Sequence, residues 1–371
     1  MGETPSGYPS IGKKTIMNQI AFKKWKEQMI ASARPRKTPI CVTFELTPRC
    51  NLDCKMCYIH NQNSNSLRNQ ELSTETWKRI FDEAYDCGMM FATITGGECL
   101  LRQDFRELYL HLWKKRIYLT VFTNGILLNE EYVAFFKTYK PRKIQISLYG
   151  SNEAGYLNVT GHRGFEKTVT AIRSLMDAGI SVQVAVTPSS YMKDDYISIL
   201  RFCKENGFQY KPTELSLIEN RDNAAKDDHY LSVEEIVKLS TESAMLSQTL
   251  IPMECEPPVC GGNVNEAPKG LACNAGKTSA VVSWDGRMCL CTAIPVSKAS
   301  VLNMSYADAW EKTKEAAEEI LLGAECVGCP YDKLCPKCPP MRLTGLYTGH
   351  CDPNVCEVTR KLVAAGVKTL P

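Results

Sequence analysis

Three cysteines, Cys50, Cys54 and Cys57, stand at spacing C-x3-C-x2-C in the stretch Cys50-Asn51-Leu52-Asp53-Cys54-Lys55-Met56-Cys57-Tyr58. Thiolates are soft ligands that suit iron–sulfur clusters and zinc. A cubane 4Fe–4S cluster normally takes four of them, so a compact triad leaves one iron open for a substrate or cofactor. The same logic separates open catalytic metal sites from closed structural ones. A zinc knuckle is the plain alternative, because C-x2-C alone is a common zinc pattern.

Other stretches carry chemistry of their own. In Thr95-Gly96-Gly97-Glu98 two glycines let a ligand approach the backbone closely, and the acidic side chain can take an ammonium. Ser147, in Gln145-Ile146-Ser147-Leu148-Tyr149-Gly150, ends a strand-like run, where a serine either contacts a ligand or caps a turn. Thr123-Asn124-Gly125 reads as a turn by its residue types. From Cys255 to Cys356 the chain holds eleven cysteines, a composition that points to a second domain held by metal more than by apolar burial. Cys41, Cys87, Cys99 and Cys203 fall in strand or helix patterns and read as buried, inert thiols.

The elements that must position these groups follow from periodicity. Residues 39–47 alternate apolar and polar, the period of a strand. Helices are expected at Ser73–Asp86, Asp104–Lys115, Asn129–Thr138, Gly164–Ala178 and Asp194–Asn206. They precede strands at Phe91–Thr95, Tyr118–Phe122, Lys143–Leu148, Val182–Thr187 and Glu214–Ile218. Such alternation argues for parallel β/α units. Six strands do not close the usual eight-stranded barrel, so the expected α/β fold is an open partial (β/α)6 barrel with its chemistry at the C-terminal strand ends. The cysteine triad follows the first of those ends. Lys13–Ala33 reads as a helix that covers the barrel bottom, with a docking helix for a partner as the alternative. The expected division is 1–38 as an N-terminal extension, 39–220 as the partial barrel, 221–254 as a helical connection, 255–358 as the cysteine-rich domain and 359–371 as a tail.

Composition narrows the setting. With 44 basic and 41 acidic residues, nothing suggests a nucleic-acid-coating surface. Disulfide-dense scaffolds are short and secreted, whereas this chain has 371 residues, 18 cysteines and no secretory start. No apolar run is long enough for a transmembrane helix. A cytoplasmic, oxygen-sensitive metalloprotein is the expectation.

At the triad the chain resembles the radical S-adenosylmethionine (radical SAM) enzymes, whose first cluster sits in a C-x3-C-x2-aromatic-C loop or a close variant. Here Met56 precedes Cys57 and the aromatic is Tyr58. The resemblance implies that Gly96, Gly97 and Glu98 hold the amino group of S-adenosylmethionine. It implies that Ser147 contacts the cofactor's ribose or carboxylate, with Tyr149 where relatives have aspartate, and that Arg163 is a candidate for the carboxylate. The implied chemistry is reductive cleavage of the cofactor to a 5′-deoxyadenosyl radical that abstracts hydrogen from substrate. An electron donor such as flavodoxin or ferredoxin would supply the electron.

The C-terminal cysteines resemble the SPASM extension of peptide-modifying members, which binds auxiliary clusters. Cys273 is followed by 12 residues, Gly286 and four more to Cys291, and then by Cys326, Cys329, Cys335 and Cys338. The last interval is x2 where the family pattern has x3. By that resemblance one auxiliary 4Fe–4S cluster takes Cys273, Cys291, Cys338 and either Cys260 or Cys255. A second takes Cys326, Cys329, Cys335 and either Cys356 or Cys351. A structural zinc site is the alternative for the C-x2-C-x5-C-x2-C run.

The resemblance thus implies a maturase of a ribosomally made peptide, which installs a thioether, a carbon–carbon link or a D-residue. Cys289, beside Cys291, is the candidate hydrogen-atom donor that epimerisation needs, unless the neighbouring ligand is misassigned. An anaerobic sulfatase maturase is the alternative, but such enzymes are expected to place an aspartate base where Thr292 stands. A non-catalytic iron–sulfur or zinc protein is the alternative of another class, and it would need no cofactor pocket.

Overall fold

The alternating segments form one sheet in the computed structural model. It describes residues 13–59, 68–212, 230–248, 273–292, 299–320 and 353–368, with 271, 294, 326, 328–331 and 334–335. Strands β1 (Cys41–Glu45), β2 (Phe91–Thr95), β3 (Tyr118–Thr123), β4 (Lys143–Ser147), β5 (Val182–Val186) and β6 (Tyr210–Pro212) run parallel and pair in sequence order. Because they are consecutive neighbours, the loops leaving their C-terminal ends are neighbours too. This is the expected partial barrel.

Between the strands lie α2 (Thr74–Asp86), α3 (Phe105–Lys114), α4 (Glu130–Thr138), α5 (Glu153–Thr160), α6 (Phe165–Asp177) and α7 (Tyr196–Glu205), preceded in the chain by α1 (Lys13–Ala33). Helix α2 shows why these segments fold as they do. Ser73 caps its first turn by accepting from the Thr76 N–H at 3.1 Å. Trp77, Ile80, Phe81 and Ala84 then fall on one face and are all fully buried. Burial of each large member stabilises the fold by about 1.5–3 kcal/mol. Helix α1 closes the opposite end of the barrel, where its Phe22 and Trp25 pack on Phe91 and Tyr118, the first residues of β2 and β3.

One strand and one helix lie outside the expected segments. The sixth strand is Tyr210–Pro212, a short edge strand that ends in proline; the expected segment Glu214–Ile218 lies outside the described residues. Helix α5 was not anticipated. Its sequence includes Gly155 and β-branched residues, and it is held by Asn152, whose side chain accepts from the N–H groups of Ala154 and Gly155.

The cysteine-rich region continues the barrel sheet. Strand β7 (Ser279–Val282) pairs parallel to β1, and β8 (Arg287–Cys289) and β9 (Ala299–Ser300) follow in antiparallel register. Helix α9 (Tyr306–Glu318) docks on α2, where Glu83 Oε2 accepts from the Tyr306 N–H at 2.8 Å. Helices α8 (Val233–Ser247) and α10 (Pro353–Ala364) pack on one another. Among the described residues no helix is long and apolar enough to cross a membrane.

Candidate functional site

The cysteine loop is set by its junction with the loop after β2. Strands β1 and β2 end level, Glu45 opposite Thr95. Beyond them the Leu46 N–H donates to the Thr95 carbonyl at 2.9 Å, Gly97 N–H to Thr47 at 2.8 Å and Glu98 N–H to Arg49 at 2.7 Å. The two glycines make this approach possible. A Cβ on Gly97 would lie 2.3 Å from the Arg49 carbonyl oxygen, and one on Gly96, at φ +150°, would lie 2.5 Å from that of Thr47.

A buried ionic cluster holds the same junction from below. Arg49 Nε donates to Glu71 Oε1 at 2.7 Å, and Thr47 Oγ1 also donates to that carboxylate. Arg102 donates to Asp104 at 2.8 and 2.6 Å and to the carbonyls of Leu46 and Leu72 at 3.1 and 3.0 Å. Arg49, Glu71 and Arg102 side chains are at most 10% exposed.

The triad follows directly. Asp53 N–H donates to the Thr160 carbonyl at 2.9 Å and Lys55 N–H to that of Val159 at 3.0 Å, which seats the loop on the C-terminal end of α5. Cys57 N–H donates to the Cys54 carbonyl at 3.0 Å and closes a turn. Cys54 is buried, Cys50 and Cys57 half-buried. Burial, then the Cys57 and Cys50 charges, pushes the Cys54 thiol well above its usual range. Burial and the Glu98 carboxylate push Cys50 up to about 12.

These thiols therefore resist ionisation until a cation arrives to offset the charge, and three soft donors in one loop suit iron. Among the described residues no three His, Cys, Asp or Glu side chains are arranged to hold a single metal ion. A cubane asks for something different: each thiolate takes its own iron, so the sulfurs surround a cube and need not converge on a point. The donor set fits a cluster.

Glu98 sits behind its loop. Its carboxylate is fully buried and accepts from Leu100 N–H at 3.0 Å, from Thr123 Oγ1 at 2.8 and 2.9 Å and from Asn124 N–H at 2.8 Å. Burial pushes its carboxyl up, against the pull of those donors. The acceptors left available are the Gly96 and Gly97 carbonyls, which take no hydrogen bond among the described residues. Ser147 ends β4 near Tyr149, whose phenol burial and the nearby Cys54 push well up. Arg163 is exposed, two residues beyond Gly161, where an added Cβ would lie 3.5 Å from Asp53.

The C-terminal candidates are more scattered. Cys273 is exposed before β7; Cys289 is 1% exposed in β8; Cys291 is half-buried just after it. Cys326 and Cys329 share one turn, Cys329 N–H donating to the Cys326 carbonyl at 3.3 Å, and Cys335 N–H donates to Tyr331 at 2.8 Å. Cys356 is half-buried on α10. Cys255, Cys260, Cys338 and Cys351 lie outside the described residues. None of the fourteen described cysteines forms a disulfide.

Sequence reasoning did not single out Glu71, Arg102 or Asn124, because groups they tie together lie far apart in the chain, Glu71 22 residues from Arg49 and Asn124 73 from Asn51. It passed over Asn124 as part of a turn, although a Thr-Asn pair at a strand end in a β/α fold was a usable signal.

Known proteins resemble this chain in sequence and in fold. The model of the radical SAM superfamily matches residues 44–203. The subtilosin biosynthesis protein AlbA of Bacillus subtilis is 36% identical over 151 residues, 40% of this chain and 33% of that protein. The mycofactocin maturase MftC of Mycolicibacterium smegmatis is 35% identical over 40% of this chain and 38% of its own. The chain thus spans between a third and two fifths of these relatives. The AdoMet-dependent heme synthase of Methanosarcina barkeri is 25% identical over 81% of this chain and 91% of that protein. In fold, Streptococcus suis SuiB bound to its precursor peptide SuiA superposes with a TM-score of 0.66 at 15% identity, covering 96% of this chain and 84% of SuiB. AdoMet-bound anSMEcpe superposes at 0.65 and 17% identity, covering 88% and 97%. The segment that carries the cysteine loop and the strand-end loops packed against it, residues 44–203, belongs to the radical SAM superfamily.

Proposed function

We propose that the chain is a radical SAM enzyme that modifies a ribosomally made peptide. The observation that carries this reading is the seating of Cys50, Cys54 and Cys57 between the Gly96–Glu98 loop and α5, at the C-terminal ends of the parallel strands. When bound, the cluster and S-adenosylmethionine together supply a one-electron cleavage whose carbon radical abstracts hydrogen. The chain's own residues hold and orient. Cys50, Cys54 and Cys57 bind the cluster through three thiolates. The Gly96 and Gly97 carbonyls take the cofactor's ammonium, while the Glu98 carboxylate fixes their loop from behind. Ser147, Arg163 and Tyr149 face the ribose and carboxylate.

The C-terminal cysteines hold two auxiliary 4Fe–4S clusters, with Cys273, Cys291, Cys338 and Cys260 or Cys255 in one, and Cys326, Cys329, Cys335 and Cys356 or Cys351 in the other. A flavodoxin or ferredoxin donates the electron in the cytoplasm, a compartment that keeps thiols reduced. The precursor peptide SuiA bound to SuiB, a protein of the same fold, supports the peptide substrate. The sulfatase-maturase alternative is weakened by Thr292, whose hydroxyl is no general base at neutral pH.

One observation favours a second reading. The match to the heme synthase extends over 91% of that protein, well past the radical SAM segment. An iron porphyrin is therefore the competing substrate class.

The test is anaerobic reconstitution with iron and sulfide counted, followed by dithionite-driven cleavage of S-adenosylmethionine. About twelve irons, for three clusters, and 5′-deoxyadenosine that disappears in Cys54→Ala are expected. Adding a candidate small peptide encoded near the gene, or an iron porphyrin, and reading product mass separates the two substrates. Zinc in place of iron, with no cleavage, would sink both.

A further inference from the structure

Asn124, the residue after β3, has a use for each of its polar groups. Its N–H donates to Glu98 Oε2 at 2.8 Å, and its carbonyl accepts from Thr168 Oγ1 at 3.2 Å. Its side-chain Oδ1 accepts from the Ile126 N–H at 3.0 Å. Nδ2 donates to Asn51 Oδ1 at 2.8 Å and lies 3.8 Å from Cys50 Sγ, within donating reach of sulfur. The residue is 7% exposed, so water does not compete for these partners.

The direction of that amide is settled by its surroundings. Ile126 N–H can only donate, so the atom facing it must be the oxygen. A flip would set the Asn124 NH2 against that donor and leave a buried N–H unmatched, at a cost of about 1–3 kcal/mol. The nitrogen therefore faces Asn51 and Cys50. The same residue is tied through its backbone to Glu98, which carries the Gly-Gly loop.

An N–H aimed at a cluster thiolate stabilises the more negative, reduced cluster, and hydrogen bonds to the sulfurs are among the determinants of cluster potential. We infer that Asn124 is a positioning residue that raises the reduction potential of the Cys50–Cys54–Cys57 cluster by donating to the Cys50 sulfur. Through Glu98 it also ties that sulfur to the loop that takes the cofactor. The inference rests on the reading of Cys50 as a cluster ligand.

Two variants of the full chain test it. Asn124→Asp keeps the shape and the acceptor for Ile126 N–H but replaces the donor with an oxygen; Asn124→Ala removes the donor without adding charge. Each is reconstituted anaerobically, iron is counted, and the reduced cluster signal is followed by electron paramagnetic resonance during a potentiometric titration. The signal belonging to the triad is the one missing in Cys54→Ala. In both variants iron content is expected to match wild type while the reduced-to-oxidised ratio of that signal at a fixed potential falls about tenfold. That fall corresponds to a midpoint lowered by about 59 mV for a one-electron couple. An unchanged midpoint with full iron would overturn the inference and leave the cluster reading standing. Loss of the cluster in both variants would reduce Asn124 to a structural residue and overturn it too. If wild type shows no signal that Cys54→Ala removes, the cluster reading itself fails.

Discussion

Gly97 and Arg49 pack backbone to backbone: the space a Gly97 side chain would need is occupied, 2.3 Å away, by the Arg49 carbonyl oxygen. Arg49 directly precedes the first cysteine of the triad. The glycine pair thus shapes the cysteine loop as much as it opens a surface to a ligand. The Gly97→Ala variant must push the Cys50 loop away from the sheet. Overpacking of this kind costs about 1–3 kcal/mol where side chains can yield, and here the obstacle is main chain. The expected outcome is a lower urea midpoint and a loss of about four irons on reconstitution, one cubane, read by denaturation and iron assay.

Glu71 serves two arginines on either side of that junction. Removing it leaves the Arg49 and Arg102 guanidiniums, both under 10% exposed, facing each other with less to neutralise them. Breaking a buried pair in this way costs about 3–5 kcal/mol. Glu71→Gln should therefore destabilise the fold by an amount in that range, seen in the urea midpoint at constant slope. By contrast, Glu107→Gln breaks only the exposed contact with Lys78 and should change stability by less than about 1 kcal/mol.

The parts that sequence disclosed and the parts it concealed differ in kind. Strands β1 to β5 and most of their helices were legible because burial stamps a period on the chain, alternate residues in β3 to β5 and one face in the helices. Helix α5 left no such mark: eight residues with Gly155 inside depend on the Asn152 cap and on tertiary fit, since a Cβ at Gly155 would meet Asp195 Oδ2 at 2.6 Å. The joining of β7 to β1 was equally silent, because an edge-to-edge pairing across more than two hundred residues has no local signature. In the site, the triad was read from spacing alone. The burial of the Glu98 carboxylate behind its loop was not, because nothing in Gly-Gly-Glu says which way the side chain turns.

Lys143, the first residue of β4, gives a prediction in pH. Burial first, and then the charges of Lys211, Lys26 and Arg142, lowers its ammonium to about 8, while Nζ donates to Gln183 Oε1 at 2.6 Å. An unfolded lysine titrates near 10.4. Between about pH 8 and 10.4 the unfolded chain therefore binds more protons than the folded one, and the Lys143 contribution to stability rises with pH across that window. Below pH 8 the buried charge is a constant cost. Lys143→Met should flatten that rise and raise the urea midpoint at pH 7, measured in denaturation series from pH 7 to 10. An unchanged pH slope would show that Lys143 is charged normally in the fold.

Ser147 tests the assignment of the cofactor's ribose side. It ends β4 level with Ala185 of β5, at the same end of the sheet as the cysteine loop, and lies near Tyr149. If its hydroxyl makes one neutral hydrogen bond to S-adenosylmethionine, Ser147→Ala forfeits about 0.5–1.5 kcal/mol of binding. That is about a twofold to tenfold rise in KM for the cofactor, with kcat for cleavage unchanged, because the bond is made in ground and transition state alike. A strand-end serine that only supports the Tyr149 phenol would behave otherwise. Its loss would leave KM within error while Tyr149→Phe, which removes the same partner, would reproduce whatever effect remained. Steady-state 5′-deoxyadenosine formation over a range of S-adenosylmethionine concentrations separates the two roles.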